Sequence, residues 1–237
     1  MKKGSKKQLQ NKAPKHIRFA VLAADVVCFT VRDDGKLCAR LIRVDRPPHF
    51  PGIPGLPGGL LDPKETAEEA AARHLFKKAK IRAEDIYMEQ LYTMSRVDRD
   101  PRGRVVSVAY LALVPWQKLS TQEREGDKET WWGDAGKVSH LAYDHNEIIQ
   151  IAISRLRARV RYTTILKKLM PDEFTLTELE ETFEKVLGRL IDKRNFRRKI
   201  LASGALSKTD RMRSGEKHRP ARLWKFKSKA VEEIEVL

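Results

Sequence analysis

The sequence predicts an α+β fold in two parts, and three observations carry that prediction. Over residues 20–114, short β-rich apolar runs are interrupted by one long segment of helical periodicity. Over residues 175–202 two amphipathic helices stand end to end, followed over residues 205–226 by two extended segments around a basic tip. The charge divides along the same line, with fourteen basic and only three acidic side chains between residues 189 and 227.

The chain has 237 residues, room for one large domain or two modest ones, and its 41% hydrophobic content suffices for a packed core. Its formal net charge is +16. Residues 1–18 add seven basic side chains and no acid, so the rest of the chain is close to neutral. A near-neutral body with a basic C-terminal part is the footprint of a nucleic-acid binder; a solvated basic surface is the plainer alternative. No run of eighteen apolar residues occurs, and no apolar stretch follows the basic N-terminus. Neither a membrane span nor a secretory signal is therefore expected, and a cytoplasmic location is. Cys28 and Cys38 lie in neighbouring strand-like runs and read as reduced, packed thiols.

Residues 1–16 are Lys-rich and aperiodic, a mobile arm. Residues 20–31 and 37–44 are apolar runs joined by Asp33-Asp34-Gly35, a hairpin by its turn chemistry. Residues 46–59 hold five prolines and four glycines and read as a loop, with Gly58 and Gly59 placed to turn backbone N–H groups toward an anion ahead of a helix. That helix is predicted over 64–80, with Ala67, Ala70, Ala71, Leu75 and Phe76 as its buried stripe. Strands follow over 86–95 and 105–114, separated by a charged loop at 97–104. Trp131 and Trp132 read as core and interface aromatics, and Asp144-His145 opens a helix over 147–159, with His145 expected to hydrogen-bond Asp144.

The stretch from Gly59 to Ile81 resembles the Nudix box, the loop-helix signature of hydrolases that cleave nucleoside diphosphates linked to another group. Gly59, Glu65, Arg73, Leu75 and Ile81 fall in register with that pattern. Its three metal-binding carboxylates do not: His74, Lys77 and Lys78 occupy their positions, and Lys80 stands where the pattern has a second glycine. Such sites hold Mg²⁺ through carboxylate oxygens and substrate phosphates, and two lysines reverse the local charge. No catalytic residue, metal or cofactor is therefore expected. The resemblance covers residues 17–160 and implies a Nudix-like mixed sheet between helices.

Residues 161–172 form a linker helix. Thr175 and Glu178 make a capping box, Gly188 ends the first C-terminal helix, and Gly204 ends the second, whose stripe is Phe196, Ile200 and Leu201. Helix, turn, basic helix, strand, basic tip and strand is the order of a winged helix-turn-helix over 173–227, with 228–237 as a tail. A Nudix-like part followed by such a unit resembles the Nudix-related transcriptional regulators of the NrtR type. Asn195-Phe196-Arg197-Arg198-Lys199 and His218-Arg219-Pro220-Ala221-Arg222-Leu223 carry the resemblance in the second part.

That resemblance implies a homodimeric repressor of NAD-metabolism genes, released from an operator in double-stranded DNA by ADP-ribose or a related nucleotide. Expected DNA contacts are Lys193, Arg194, Asn195, Arg197 and Arg198 on the second helix, with Arg211, Arg213, Lys217, Arg219 and Arg222 in the wing. Expected ligand contacts are Arg43, Arg46, Gly58, Gly59, Arg73, Lys77, Lys78, Arg99 and Arg102. Lys77 and Lys78 read either as a positive charge in place of Mg²⁺ or as two solvated lysines. Two other functions fit the same residues: a regulator of this architecture that senses a sugar or another metabolite, and an active Nudix pyrophosphatase whose C-terminal part binds nucleic acid.

Overall fold

The computed structural model describes residues 20–82, 86–215 and 218–235, so the basic arm lies outside the described residues. Strands β1 (Val21–Val31) and β2 (Leu37–Arg46) pair antiparallel as the turn chemistry predicts. The segment read as a loop holds two further strands, β3 (Phe50–Gly55) and β4 (Gly58–Leu60). Proline is tolerated there because β3 is an edge strand, paired only with β2. After helix α1 (Ala67–Ala79) come β5 (Tyr87–Met94), β6 (Val105–Leu113), the short helix α2 (Thr121–Glu125), β7 (Thr130–Asp134) and the long helix α3 (His145–Tyr162).

These seven strands make one mixed sheet in the order β3-β2-β1-β6-β5, with β4 added to β1 and β7 to β2. The central pair, β1 and β6, is parallel and covered on both faces, which is why β1 reads as an almost unbroken apolar run. Ala24, Val26 and Cys28 face α1, whereas Val27, Phe29 and Val31 face α3. Cys28 and Cys38 are free and buried, and burial pushes their thiols up to about 12 and about 11.

Helix α1 begins at Ala67, three residues later than predicted, because Thr66 is the N-cap and forms a capping box with Glu69. Phe76 is 53% exposed and does not belong to the buried stripe; His74 does. Phe76 lies about 100° around the helix from Leu75, beyond the arc that meets the sheet. Lys80 caps the C-terminus in the left-handed region at φ 60°, where a Cβ is disfavoured. Lys80→Gly should therefore stabilise the fold by about 1 kcal/mol, net of glycine's entropy, and raise Tm by about 2–4 °C in a thermal melt.

The C-terminal part contains α4 (Leu176–Leu187), α5 (Lys193–Ala202), β8 (Leu206–Gly215) and β9 (His218–Phe226). The Thr175–Glu178 capping box forms, and Gly188 and Gly204 both adopt φ 71°. Phe183 of α4 and Phe196 of α5 are buried with ring centroids 4.7 Å apart, fixing one helix on the other. Leu201, placed in the buried stripe by sequence, is 40% exposed, since Phe196 and Ile200 already fill the contact with α4. The wing strands run to Gly215 and from His218, so Arg211 and Arg213 sit on a strand.

The two parts share one core. The apolar face of α3 (Ile148, Ile149, Ala152, Ile153, Leu156, Val160) belongs to a buried cluster that runs from Phe29 and Leu111 of the sheet to Phe183 of α4 and Ile200 of the basic helix α5. The segment expected as a tail ties into the same junction. The amide of Ile234 donates to Tyr162 and that of Thr164 to Glu232, each at 2.8 Å, while Ile234 packs against the cluster. Among the described residues, no helix is long and apolar enough to cross a membrane.

Candidate functional site

A cavity of about 590 Å³ opens over α1, β4 and the ends of β1, β2 and α3. Of the nine residues predicted to meet a ligand, eight line it: Arg43, Arg46, Gly58, Gly59, Lys77, Lys78, Arg99 and Arg102. Arg73 does not. Its Nε donates to Glu65 at 2.8 Å and its Nη2 to the Leu60 carbonyl at 3.1 Å, which pins the loop before α1 to the helix. This pair explains why Glu65 and Arg73 keep their register without a role in the cavity. The Arg73 guanidinium holds the Glu65 carboxyl down at about 2. Its contribution to stability is therefore complete above the ordinary carboxylate value and disappears as pH falls toward 2.

Gly58 and Gly59 do not form an amide nest at a helix N-terminus. They lie in β4, paired with Asp25 and Ala24 of β1, and the helix starts eight residues after Gly59. Their glycine identity answers a packing need. A Cβ on Gly58 would come within 2.0 Å of Asp25 Oδ1, and one on Gly59 within 2.7 Å of the His74 ring. The three positions that the family's box gives to metal ligands are occupied by donors. His74 Nε2 donates to the Leu60 carbonyl at 3.0 Å, Lys78 Nζ donates to the Gly58 carbonyl, and Lys77 is exposed at the rim.

The floor is a buried ionic cluster that the sequence did not announce as a unit. Arg99 donates to both carboxylate oxygens of Asp144, at 2.8 and 2.6 Å, and to Asp25 at 3.2 Å. Ser107 donates to Asp25 at 2.6 Å. His145, expected to bond Asp144, instead accepts the Leu56 amide on Nδ1 at 2.9 Å, which leaves its Nε2–H facing Asp25 at 3.6 Å. Asp144 is taken up by the bidentate Arg99, so the imidazole turns to the other carboxylate. Burial by itself would raise Asp25, but His145, Ser107 and Arg99 outweigh it and hold its carboxyl well below the usual range. Arg99 thus sits in the cavity floor as a neutralised member of this cluster and is not a free cation. Arg102 is likewise paired, with Asp100 at 2.7 Å, and its guanidinium lies 5.5 Å from the centre of the Tyr143 ring. Arg43 and Arg46 are exposed on the rim.

Asp25, Tyr143 and His145 also line the cavity and are not among the ligand contacts expected from sequence. One signal for Asp25 was present: a single carboxylate in the middle of an apolar strand must find buried partners. Tyr143 gave none, because its place depends on a left-handed backbone at φ 54° and on stacking 4.3 Å from Phe50.

On the basic helix, Lys193, Arg194, Arg197 and Arg198 are exposed and Asn195 is half-buried. Arg197 is not free: it donates to Glu180 of α4 at 2.9 Å, and that carboxylate is fully buried. Arg198 donates to Asn195 Oδ1 at 2.6 Å. In the wing, Arg211 pairs with Glu173 at 3.2 Å, Arg213 bonds Glu178, and Arg222 donates to the Thr209 carbonyl. Lys217 lies outside the described residues, as does the side chain of Arg219.

A cavity of this size with lysine and arginine side chains in its wall, on a mixed sheet that shares a core with a basic helix and a two-stranded wing, defines a Nudix-type domain joined to a winged-helix unit. Residues 21–151 match the NUDIX domain family and residues 167–226 the NrtR DNA-binding winged helix domain. The ADPR responsive transcriptional repressor NtrR of Acinetobacter baylyi is 34% identical over 208 residues, 87% of this chain and 82% of that protein. The crystal structure of Shewanella oneidensis NrtR complexed with a 27mer DNA superposes with a TM-score of 0.76 at 33% identity, over 87% of this chain and 93% of that one. The NUDIX domain of the same protein complexed with ADP ribose gives 0.52 at 34% identity, over 62% of this chain and 94% of that one. The chain belongs to the NrtR family of Nudix-related transcriptional regulators.

Proposed function

We propose that this protein is a transcriptional repressor that grips operator DNA through its winged helix and lets go when ADP-ribose enters the cavity. The observation that carries the proposal is the shared core. Helix α3 starts in the ionic floor of the cavity and ends against α4, so a ligand that shifts the floor bears on the helix pair that presents the basic face. The relatives support both halves: the Acinetobacter protein is named as ADPR responsive, and the Shewanella protein has been crystallised with DNA and its NUDIX domain with ADP ribose. The protein acts in the cytoplasm as a homodimer on a two-fold symmetric operator, since winged-helix units read palindromes that way. Genes of NAD metabolism are the natural targets of a sensor for a nucleotide derived from NAD. Arg194, Asn195 and Arg198 are its base-reading candidates, Lys193, Arg211, Arg213, Lys217, Arg219 and Arg222 its backbone clamps, and Arg197 sets the helix pose through Glu180.

ADP-ribose is bound and not hydrolysed, because lysines stand where the family's box places the carboxylates for Mg²⁺. The test uses a duplex selected by the protein itself from a random library, with anisotropy as the readout. ADP-ribose should weaken binding about 10-fold or more, and by linkage the DNA complex should bind ADP-ribose more weakly by the same factor. Chromatography of the same samples with Mg²⁺ should show ADP-ribose intact. Release of AMP and ribose 5-phosphate would identify a pyrophosphatase instead, and DNA release by a pentose but not by ADP-ribose would identify a sugar sensor.

A further inference from the structure

The Nudix fold implies a divalent metal beside the box, and the residues present do not fit one. Among the described residues, no group of three or more His, Cys, Asp or Glu side chains could hold a metal ion. At the three positions in question, His74 spends its Nε2–H on the Leu60 carbonyl and the two lysines offer donors only. A hard dication needs oxygen ligands, and two ammonium groups repel it.

The two lysines are not equivalent. Lys77 is exposed at the rim, as a solvated lysine would be. Lys78 is half-buried, and its ammonium is fixed on the Gly58 carbonyl at the cavity wall. One backbone oxygen thus holds the cation in place, while an ammonium has three N–H groups and keeps the others for a second acceptor. Gly59 keeps that approach open, since a Cβ there would stand 3.1 Å from Lys78 Nζ. Desolvation, followed by the positive charges of Arg46, Arg73 and Arg102, pushes the Lys78 ammonium below its ordinary value, with only Asp25 acting the other way. An ammonium so placed gains more from an arriving anion than a solvated one does, because water screens it less.

We propose that the Lys78 ammonium is the resident cation of a diphosphate subsite, so that this protein binds a nucleoside diphosphate ester without a divalent metal. The inference rests on the effector reading above and deepens it. The effector's diphosphate lies against Lys78, and the sensor reports nucleotide concentration regardless of the Mg²⁺ level. A substitution that removes hydrolytic chemistry has at the same time supplied a positive charge beside the place of the lost ion.

Titration calorimetry of ADP-ribose into the full chain, once in EDTA and once in excess MgCl₂, tests this without any variant. The expected result is the same Kd in both. Lys78→Gln should weaken binding by roughly 10- to 100-fold, the loss of a charge-assisted hydrogen bond, while Lys77→Gln changes it by less than about threefold. Retained DNA binding by Lys78→Gln reports that the variant is folded. Binding that requires Mg²⁺, or wild-type affinity in Lys78→Gln, overturns the inference and leaves the effector reading standing. No ADP-ribose binding under either condition overturns the effector reading, and this inference with it.

Discussion

Replacing Arg99 by leucine should cost about 3–5 kcal/mol of folding stability, read as a shift of the urea midpoint at unchanged slope. The guanidinium is 3% exposed and is the cation shared by Asp144 and Asp25, themselves 1% and 8% exposed. Without it the buried Asp144 loses its bidentate partner, and Asp25 keeps only Ser107 and His145. Arg99→Lys keeps the charge but loses the bidentate fork and should fall between wild type and Arg99→Leu. The loss should also depend on pH. In the wild type the depressed Asp25 contributes stability that is present above the unfolded carboxylate value of about 3.9 and is lost as pH falls through the lower folded value. In Arg99→Leu the Asp25 carboxyl keeps only His145 and Ser107 and takes up a proton more readily when folded, so acidification relieves part of the loss. The gap between the two proteins should therefore narrow between pH 7 and pH 4. An equal gap at both values would mean that Arg99 acts by filling space alone.

The second large effect is on DNA. Arg194→Ala should weaken operator binding by about 1–3 kcal/mol while leaving binding to a random duplex nearly unchanged, and Arg198→Ala should do the same. Arg211→Ala should weaken both duplexes alike and reduce the slope of log K against log salt by about 0.9, the signature of one phosphate contact. Arg197→Ala should differ from all of these, lowering stability as well as affinity, since Glu180 loses its partner inside the protein. Equal losses on operator and random DNA for Arg194→Ala would reassign that residue to the backbone.

These expectations separate residues that one-dimensional reading grouped together. Arg73, Arg99 and Arg102 are all among the ligand contacts expected from sequence. The structure spends each on a carboxylate of its own chain: Glu65, Asp144 with Asp25, and Asp100. Arg197 and Arg198 look alike in sequence, one residue apart on a basic helix. Arg197 reaches back to α4, whereas Arg198 stays on its own helix at Asn195. Charge counting finds the basic face; it does not find which charges are already compensated. The same blindness applied to residues 46–59, where proline content suggested a loop and edge position allowed a strand.

What the sequence by itself determined was local or cumulative. The β1–β2 hairpin followed from Asp33-Asp34-Gly35, the two C-terminal helices from the Thr175–Glu178 capping box and the Gly188 and Gly204 stops, and the removal of metal ligands from the identities of three residues after Arg73. Each depends on neighbours within a few positions, where steric preference and hydrogen-bonding reach are short. Only the tertiary structure decided that Asp25, Arg99, Asp144 and His145 form one cluster, that Lys78 is held on the Gly58 carbonyl while Lys77 stays exposed at the rim, and that α3 joins both parts in one core. Those contacts join residues up to 120 positions apart in the chain, from Asp25 to His145. Sequence spacing carries no information about them, because they exist only once the sheet and helices have closed on one another.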